Sequence, residues 1–171
     1  MPASSLLLRH LVVAMGLIAC TGCASQPERA SVQSVSVGGR PIAFETHGAQ
    51  DRATIALLTR FLEVFARMDP VALDGVVTPD FVWHLHVKQG EYGGRAVSGA
   101  AGIITVLNER KADWRDVRYT DVKFIIDGKH VFQTYRVTGS SVRSGNFDAN
   151  GIDVYLIEDG RIKTKDSYWK Q

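Results

Sequence analysis

Hydrophobic and polar residues alternate along the C-terminal half of the chain, a pattern typical of β-strands. Four such segments span residues 114–127, 129–139, 145–158 and 161–170, with short turns between them. Strands joined by short turns run antiparallel to their neighbours. The last turn, Asp159-Gly160, is a strong hairpin signal because Gly supplies the positive φ that a primed turn requires.

Helical patterns come before the strands. Apolar residues recur every three or four positions from about Ala49 to Met68, which predicts a first helix. Its apolar face comprises Leu58, Phe61, Leu62, Phe65 and Met68. Asp69-Pro70 suits an N-cap followed by a first-turn proline, so a short second helix is predicted from Pro70 to about Val77.

The next elements are a strand and a third helix. Thr78-Pro79-Asp80 is expected to break the chain before a strand from Phe81 to Val87, and Gly90 to Gly94 forms a loop. Ser98 could then cap a third helix that runs to about Arg110. Helices followed by an antiparallel meander predict an α+β fold, with the helices packed on one face of a curved sheet.

The N-terminus resembles an export signal. Arg9 and His10 precede the apolar run from Leu11 to Ala19, which is too short to span a bilayer as a helix. Leu17-Ile18-Ala19-Cys20 resembles the bacterial lipoprotein box, so residues 1–22 are predicted to be a lipoprotein signal peptide with lipidation at Cys20. Cys23 is a weaker second candidate, and a plain secretory signal is the alternative. An acylated chain would be anchored to the periplasmic side of the bacterial cell envelope.

Composition narrows the remaining possibilities. The 171 residues carry a net charge of +2, and 45% are hydrophobic, as in an ordinary globular protein. This charge balance gives no basic footprint for nucleic acid. Residues 23–48, rich in Ser, Gly and Gln, are predicted to be a largely flexible tether, in which Val32 to Val37 and Pro41 to Phe44 could form a short ribbon around Gly38-Gly39. The folded domain is predicted to span 49–171.

One acid is out of place in the last hairpin. Asp153 shares a strand face with Tyr155 and Ile157, whose apolar character indicates burial. A buried acid is paired, neutral or functional. Asp153 is therefore either a pocket acid or a structural acid that is hydrogen-bonded to a neighbouring strand residue or capped by Arg or Lys. Lys163, Lys165 and Lys170, together with Arg161, are predicted to form the solvated side of the same hairpin.

Several short strings, in their order and spacing, resemble the NTF2-like superfamily, and in particular its SnoaL-like and ketosteroid isomerase-like domains. The similarity covers about Ala49 to Lys170. The strings are Arg60-Phe61 followed by Asp69, Thr78-Pro79-Asp80-Phe81, Ser98-Gly99, Ile152-Asp153-Val154, Gly160-Arg161-Ile162 and Tyr168-Trp169. The resemblance implies a cone in which three N-terminal helices pack in a strongly curved antiparallel or mixed sheet that encloses an apolar cavity.

The resemblance also implies roles for individual residues. Asp153 falls where ketosteroid isomerases place a protonated Asp that helps form the oxyanion hole. Phe61 stands at the position of the partner Tyr, and Leu85 at the position of the catalytic base. A site without that hydroxyl and that base lacks the means for ketosteroid isomerisation.

The strand around Leu85 leaves two alternatives open. If Leu85 and Trp83 face the cavity, alternation turns His84 and His86 away from it. One of these histidines could instead replace the missing base, because the histidine pKa lies near neutrality. His84-Leu85-His86 with Glu91 also matches the first half of a cupin metal motif, but the second half is absent. No metal and no cofactor are predicted.

The neighbouring strands supply further cavity candidates. Gln133, Tyr135 and Val137 share a face, and Tyr135 is either a second donor or a core residue. A strict two-residue turn would pair Asp153 with Asp166. The resemblance instead places Ser167 and Trp169 in the cavity, which requires a bulge. The bulged register is favoured because two adjacent buried acids are costly.

These observations favour an exported, lipid-anchored domain that binds a small apolar or aromatic molecule in its cavity. The alternative is a SnoaL-like enzyme (an isomerase, cyclase, dehydratase or hydrolase) in which Asp153 is the acid or oxyanion donor and Tyr135, Ser167 or a histidine assists. The resemblance further implies a homodimer formed through the outer sheet face. The predicted substrate-binding residues are Phe61, Trp83, Leu85, Gln133, Tyr155, Ser167 and Trp169.

Overall fold

The computed structural model describes residues 30–48, 51–86 and 94–170. The predicted signal peptide with Cys20 and Cys23, as well as Val87 and Glu91, lies outside these ranges. Within them no helix is long and apolar enough to cross a membrane. The elements in chain order are β1 (Ser31–Val37), β2 (Arg40–Thr46), α1 (Asp51–Arg67), α2 (Pro70–Asp74), β3 (Val77–His86), β4 (Arg95–Ser98), α3 (Gly99–Asp113), β5 (Trp114–Asp127), β6 (His130–Ser141), β7 (Gly145–Glu158) and β8 (Arg161–Lys170).

The described strands form one mixed sheet in the order β1-β2-β5-β6-β7-β8-β3-β4. The pairs β2–β5 and β3–β8 are parallel, and the other pairs are antiparallel. The register of β5 against β6 shifts twice, and Asp116 and Asp121 at these shifts have positive φ. Such bulges bend a strand and increase its twist. The predicted α+β class, with helices packed against a strongly curved sheet, is confirmed.

The N-terminal hairpin corrects the predicted domain boundary. The described part of the predicted tether contains β1 and β2, which turn at Gly38-Gly39 and pair along their whole length. β2 continues the sheet through its parallel pairing with β5, and Phe44 stacks on Phe124 with ring centroids 4.9 Å apart. The sheet therefore begins at Ser31, whereas the folded domain was predicted to begin at Ala49. The prediction failed because Ser- and Gly-rich composition resembles a linker even where alternate residues are apolar.

The helices lie close to their predicted positions. In α1 the buried residues Ile55, Leu58, Phe61 and Val64 form the face that packs into the core. Asp69 caps α2 as predicted, because its carboxylate accepts a hydrogen bond from the backbone N–H of Ala72 at 3.0 Å.

The region after α2 differs from the prediction. α2 ends at Asp74, and β3 begins at Val77, before the residues expected to interrupt the chain. Pro79 is accommodated because the register of β3 against β8 shifts between Val77 and Val82, as is typical of a bulge. β4 was not predicted, since a strand of four residues gives little periodicity. α3 continues to Asp113, one turn beyond its predicted end.

The β7–β8 hairpin forms with the predicted bulge. Asp159 and Gly160 both have positive φ, 49° and 70°, as the primed turn requires. Glu158 pairs with Arg161, but the register then shifts between Leu156 and Ile157. Asp153 consequently lies opposite Ser167 and not opposite Asp166.

The end of α3 is fixed to the β6–β7 turn by one carboxylate. Asp113 is buried and accepts hydrogen bonds from the Ser141 hydroxyl at 2.8 Å and from the backbone N–H of Arg143 at 3.2 Å. Burial by itself would raise the pKa of Asp113, but these hydrogen bonds and the Arg143 charge hold it below its ordinary value. The folded state therefore favours the ionised carboxylate.

We predict that Asp113→Asn destabilises the fold at neutral pH and reduces the dependence of its stability on pH. Because the pKa of Asp113 is lowered on folding, its stabilising contribution is present above the ordinary Asp value of about 3.9 and is lost as pH falls through the lowered value. Urea unfolding from pH 7 to pH 2 should show a smaller loss of free energy of unfolding in the variant than in the wild type. Equal pH dependence in both proteins would contradict this assignment.

Candidate functional site

Three rows of inward-facing residues cross the concave face of the sheet. The first row is Val131–Tyr155–Lys165–Trp83, the second is Gln133–Asp153–Ser167–Leu85, and the third is Tyr135–Gly151–Trp169. These rows follow from the bulged hairpin, because a register shift of one residue would exchange the two faces of β8. The polar residues of this face are thus brought together by strand pairing alone.

A cavity of about 530 Å³ lies between this face, α1 and the start of β2. Its walls are mostly apolar side chains, among them Val37, Ile42, Phe61, Leu62, Phe65 and Val122. Exposed residues mark its mouth, and these are Arg40, Pro41, Ala66, Thr120 and Asp121. The N-terminal hairpin and the second bulge of β5 therefore shape the entrance.

A buried ion pair occupies the polar end of the cavity. Nζ of Lys165 lies 2.6 Å from Oδ2 of Asp153, and each residue is only 5% exposed. The Tyr135 hydroxyl donates to the other carboxylate oxygen at 3.2 Å. Both oxygens of Asp153 thus accept hydrogen bonds, and one of these bonds comes from a cation.

Lys165 lies between aromatic rings. Its Nζ is 4.7 Å from the ring centroid of Trp83 and 5.5 Å from that of Tyr155, and it donates to the Ser167 hydroxyl at 2.7 Å. Burial lowers the pKa of Lys165, although the charge of Asp153 opposes this effect. The ammonium is consequently held by one carboxylate, one hydroxyl and two π faces in an environment with little water.

Tyr135 is positioned by its neighbours on either side. Nε1 of Trp169 donates to the Tyr135 hydroxyl at 3.0 Å, and the Tyr135 ring lies directly over Gly151. A Cβ atom at position 151 would overlap that ring, so only glycine permits this close approach. Burial, followed by the charge of Asp153, raises the pKa of Tyr135, which therefore remains a protonated donor.

Two further hydrogen bonds complete the network. Nε1 of Trp83 donates to the Ser167 hydroxyl at 2.8 Å, and the Tyr155 hydroxyl donates to the side-chain carbonyl of Gln133 at 2.6 Å. Burial raises the pKa of Tyr155 well above its ordinary value. Each of these buried polar groups has a partner, so the network fixes the rotamers of the cavity floor.

The structure brings most of the predicted site residues together. The cavity is lined by Asp153, Tyr135, Phe61, Gln133, Tyr155 and Ser167. Trp83, Leu85 and Trp169 do not line it and instead pack behind its wall. Trp83 and Trp169 still act on the site through their hydrogen bonds to Ser167 and Tyr135, whereas Leu85 is a fully buried core residue.

Lys165 corrects the sequence prediction. It was expected on the solvated side of the hairpin, but it is buried and paired with Asp153. The signal was present in the favoured register, because Lys165 lies two residues before Ser167 and must share its inward face. The three other cations of the hairpin, Arg161, Lys163 and Lys170, made Lys165 look like one more solvated residue.

Arg110 is a cavity residue that the sequence analysis did not identify. It follows Ile103 and Val106 at helical spacing on the inner face of α3, and this spacing is the signal that could have found it. Its guanidinium carbon lies 4.9 Å from the ring centroid of Trp83 and 4.5 Å from that of Trp114.

His84 and His86 point away from the cavity, as strand alternation predicted. They lie on the outer sheet face beside Asp166, and the ligand atoms of these three residues are within 4.8 Å of one another. Within the described ranges this is the cluster that could hold a metal ion. His86 stacks on Tyr168 with centroids 4.6 Å apart, so aromatic packing already accounts for its position.

Comparison with known proteins identifies the family. The family model for the SnoaL-like domain matches residues 58–164, more than half of the chain. The chain belongs to the SnoaL-like domain family. The predicted resemblance to NTF2-like and ketosteroid isomerase-like proteins is thereby confirmed. A search among curated proteins found no match to the sequence.

Solved structures share the fold of this SnoaL-like domain at low sequence identity. An NTF2-like protein from Burkholderia xenovorans is 16% identical with a TM-score of 0.59, over 70% of this chain and 90% of that chain. A protein with a ketosteroid isomerase-like fold from Catenulispora acidiphila, in complex with trimethylamine, is 17% identical with a TM-score of 0.54, over 67% and 85%. TerC, co-crystallised with polyporic acid, is 19% identical with a TM-score of 0.56, over 69% and 92%.

We predict that Lys165→Met destabilises the fold by about 3–5 kcal/mol, because it leaves Asp153 buried without its cation. Adding Asp153→Asn should recover part of this loss, so chemical denaturation should show a double-mutant effect clearly smaller than the sum of the single effects. Lys163→Met is the matched control on the same strand, since Lys163 pairs with the exposed Asp80 and should contribute about 1 kcal/mol or less. Additive effects for Lys165 and Asp153 would contradict the pairing.

Proposed function

We propose that this SnoaL-like domain binds a small apolar or aromatic molecule in its cone cavity. The observation that carries the proposal is the division of the cavity into an apolar wall and a compact polar end. Its volume lies within the roughly 300–1,000 Å³ of small-molecule sites, which are mostly apolar with a few polar groups that orient the ligand. The hydrogen-bonded floor is already assembled, so little ordering is required on binding.

The relatives are consistent with this role. TerC holds polyporic acid and the Catenulispora acidiphila protein holds trimethylamine, so proteins of this fold accommodate small organic molecules. These two ligands differ in size and charge. The choice of ligand for the present chain must therefore rest on its own cavity residues.

The geometry favours binding over ketosteroid-type isomerisation. That reaction requires a neutral acid as donor and a free base, whereas both oxygens of Asp153 already accept hydrogen bonds. Leu85 supplies no base, and Phe61 supplies no hydroxyl. The groups that can donate to a ligand are instead Lys165 and Arg110.

A SnoaL-like enzyme is the second candidate, and the buried Lys165 favours it. A lysine whose pKa is lowered by burial can exchange a proton with a bound substrate more readily than a solvated one. The Asp153–Lys165 pair would then replace Asp153 alone as the acid–base unit. Hydrogen exchange at the carbon next to the carbonyl of 2-tetralone in D₂O, followed by NMR, tests this candidate. Exchange no faster than in buffer would exclude proton abstraction from this ketone.

Export and lipid anchoring are proposed from the N-terminal sequence. The lipoprotein box ending at Cys20 supports acylation of that cysteine and a position on the periplasmic side of the bacterial cell envelope. Homodimerisation through the outer sheet face is also proposed. It is supported by the exposed Ile152 and Tyr168, which pair on neighbouring strands. A monomeric mass by light scattering would contradict the dimer.

We predict that Ala66→Trp weakens ligand binding at least about tenfold. A loss of about 1.4 kcal/mol of binding free energy is enough for a tenfold change in Kd. Ala66 lies at the cavity mouth on an exposed position of α1, so an indole there should fill the entrance without disturbing the core. The measurement is calorimetric titration with neutral 2-naphthamide. Ala53→Trp, at another exposed position of α1 outside the cavity lining, is the control and should bind as the wild type does. Failure of the wild type to bind aromatic probes would remove the proposed function.

We predict that Cys20→Ser abolishes acylation in a bacterial host, because the lipid is transferred to the cysteine of the box. Incorporation of labelled palmitate into the full-length chain is the measurement, and Cys23→Ser is the matched control that should retain the label. Loss of the label in Cys23→Ser alone would place the anchor at Cys23. Absence of label in the wild type would show a plain secretory signal or none.

A further inference from the structure

We propose that the cavity recognises a carboxylate on its aromatic ligand and that Arg110 is the residue that binds this carboxylate. The inference rests on the proposed function, since it names the ligand class for the same cavity. It arises from an imbalance among the charged groups that meet at the polar end.

The charges at the polar end of the cavity do not cancel. Lys165 and Arg110 bring two cations to its polar end, while Asp153 is the one carboxylate among the described lining residues other than Asp121 at the mouth. Asp153 is already engaged by Lys165 and Tyr135. Arg110 forms no ion pair with the described part of the chain, and an anion is therefore missing from the site.

The environment of the Arg110 guanidinium is suited to a ligand. Its Nε is buried and has no hydrogen-bond partner among the described residues. The guanidinium instead lies against Trp83 and Trp114, which hold its plane through cation–π contact but satisfy none of its N–H donors. A buried charged donor without an acceptor is costly, and such a group is most simply explained by a ligand that supplies the acceptor.

The charge of Arg110 reaches the other cavity groups. Burial raises the pKa of Tyr119 and Tyr135, and the charge of Arg110 opposes that effect. Burial lowers the pKa of Lys165, and the charge of Arg110 lowers it further. An anion placed at Arg110 would relieve the repulsion between Arg110 and Lys165. The positive end of the cavity thus favours a negatively charged ligand over a neutral or cationic one of the same shape.

A carboxylate fits these donors best. The planar guanidinium fork matches the two oxygens of a carboxylate, and the charge-assisted pair is stronger than a neutral hydrogen bond. The aromatic rings of Tyr119, Tyr135 and Phe61 line the adjacent cavity and offer faces and edges to a ligand ring. The ligand class is therefore a small aromatic carboxylate.

The test compares two probes of the same shape, 2-naphthoate and neutral 2-naphthamide, by calorimetry at pH 7 on the full chain. The wild type should bind the naphthoate at least about tenfold more tightly than the amide. Arg110→Gln should abolish this preference. Arg110→Lys should retain part of the preference, because it keeps the charge but loses the fork.

Two controls separate Arg110 from the other cations. Arg118→Gln changes an exposed arginine outside the cavity lining and should bind as the wild type does. Arg40→Gln changes the cation at the mouth and should preserve most of the preference. Thermal unfolding of each variant checks that it is folded, and Arg110→Lys carries the test if Arg110→Gln is not.

The possible outcomes are distinguishable. Equal affinity of the wild type for both probes would overturn the carboxylate subsite and leave the cavity function standing. A preference that survives Arg110→Gln, or that disappears in Arg40→Gln, would overturn the role of Arg110. Binding of neither probe would remove the proposed function and the subsite together.

Discussion

The buried pair of Asp153 and Lys165 is the interaction on which the polar end of this domain depends. Removing two charges from water is costly, and their attraction compensates only when the geometry is good and the remaining donors and acceptors are satisfied. Here Tyr135 and Ser167 supply those additional hydrogen bonds. The pair joins β7 to β8 on the concave face. Removal of either partner would therefore leave the other charge buried without compensation.

The pair in turn depends on the backbone. The shift of register between Leu156 and Ile157 sets Asp153 opposite Ser167 and brings Lys165 onto the inner face. Gly151 leaves space for the Tyr135 ring, which then reaches Asp153. The same arrangement leaves the charge of Arg110 unbalanced, and this links the packing of the sheet to the proposed recognition of a carboxylate. The cavity therefore combines a hydrogen-bonded polar floor, an apolar wall and Arg110, whose Nε has no hydrogen-bond partner among the described residues.

The sequence predicted local elements more reliably than their partners. The boundaries of β5, β7 and β8 and the cap of α2 agree with the structure because periodicity, turn residues and capping are local signals. A short N-terminal ribbon was anticipated, but its place in the sheet was missed because that place depends on the distant β5, and no local pattern reports a parallel pairing. Lys165 was misplaced because its burial depends on the strand register and on the ion pair with Asp153. Neither can be recognised in a local sequence that also contains other cationic residues. The predicted cavity residues Asp153, Tyr135, Phe61, Gln133, Tyr155 and Ser167 do converge, whereas the role of each in binding stays a prediction.

The titration of Lys165 tests this account most directly. Lysine side chains labelled with ¹³C at Cε can be followed by NMR from pH 7 to pH 12, and the Lys165→Arg variant assigns the resonance. Lys165 is expected to titrate below the ordinary lysine value of about 10.4, because burial lowers its pKa. A Lys165 resonance that titrates at the ordinary lysine value would contradict the burial of this amine beside Asp153.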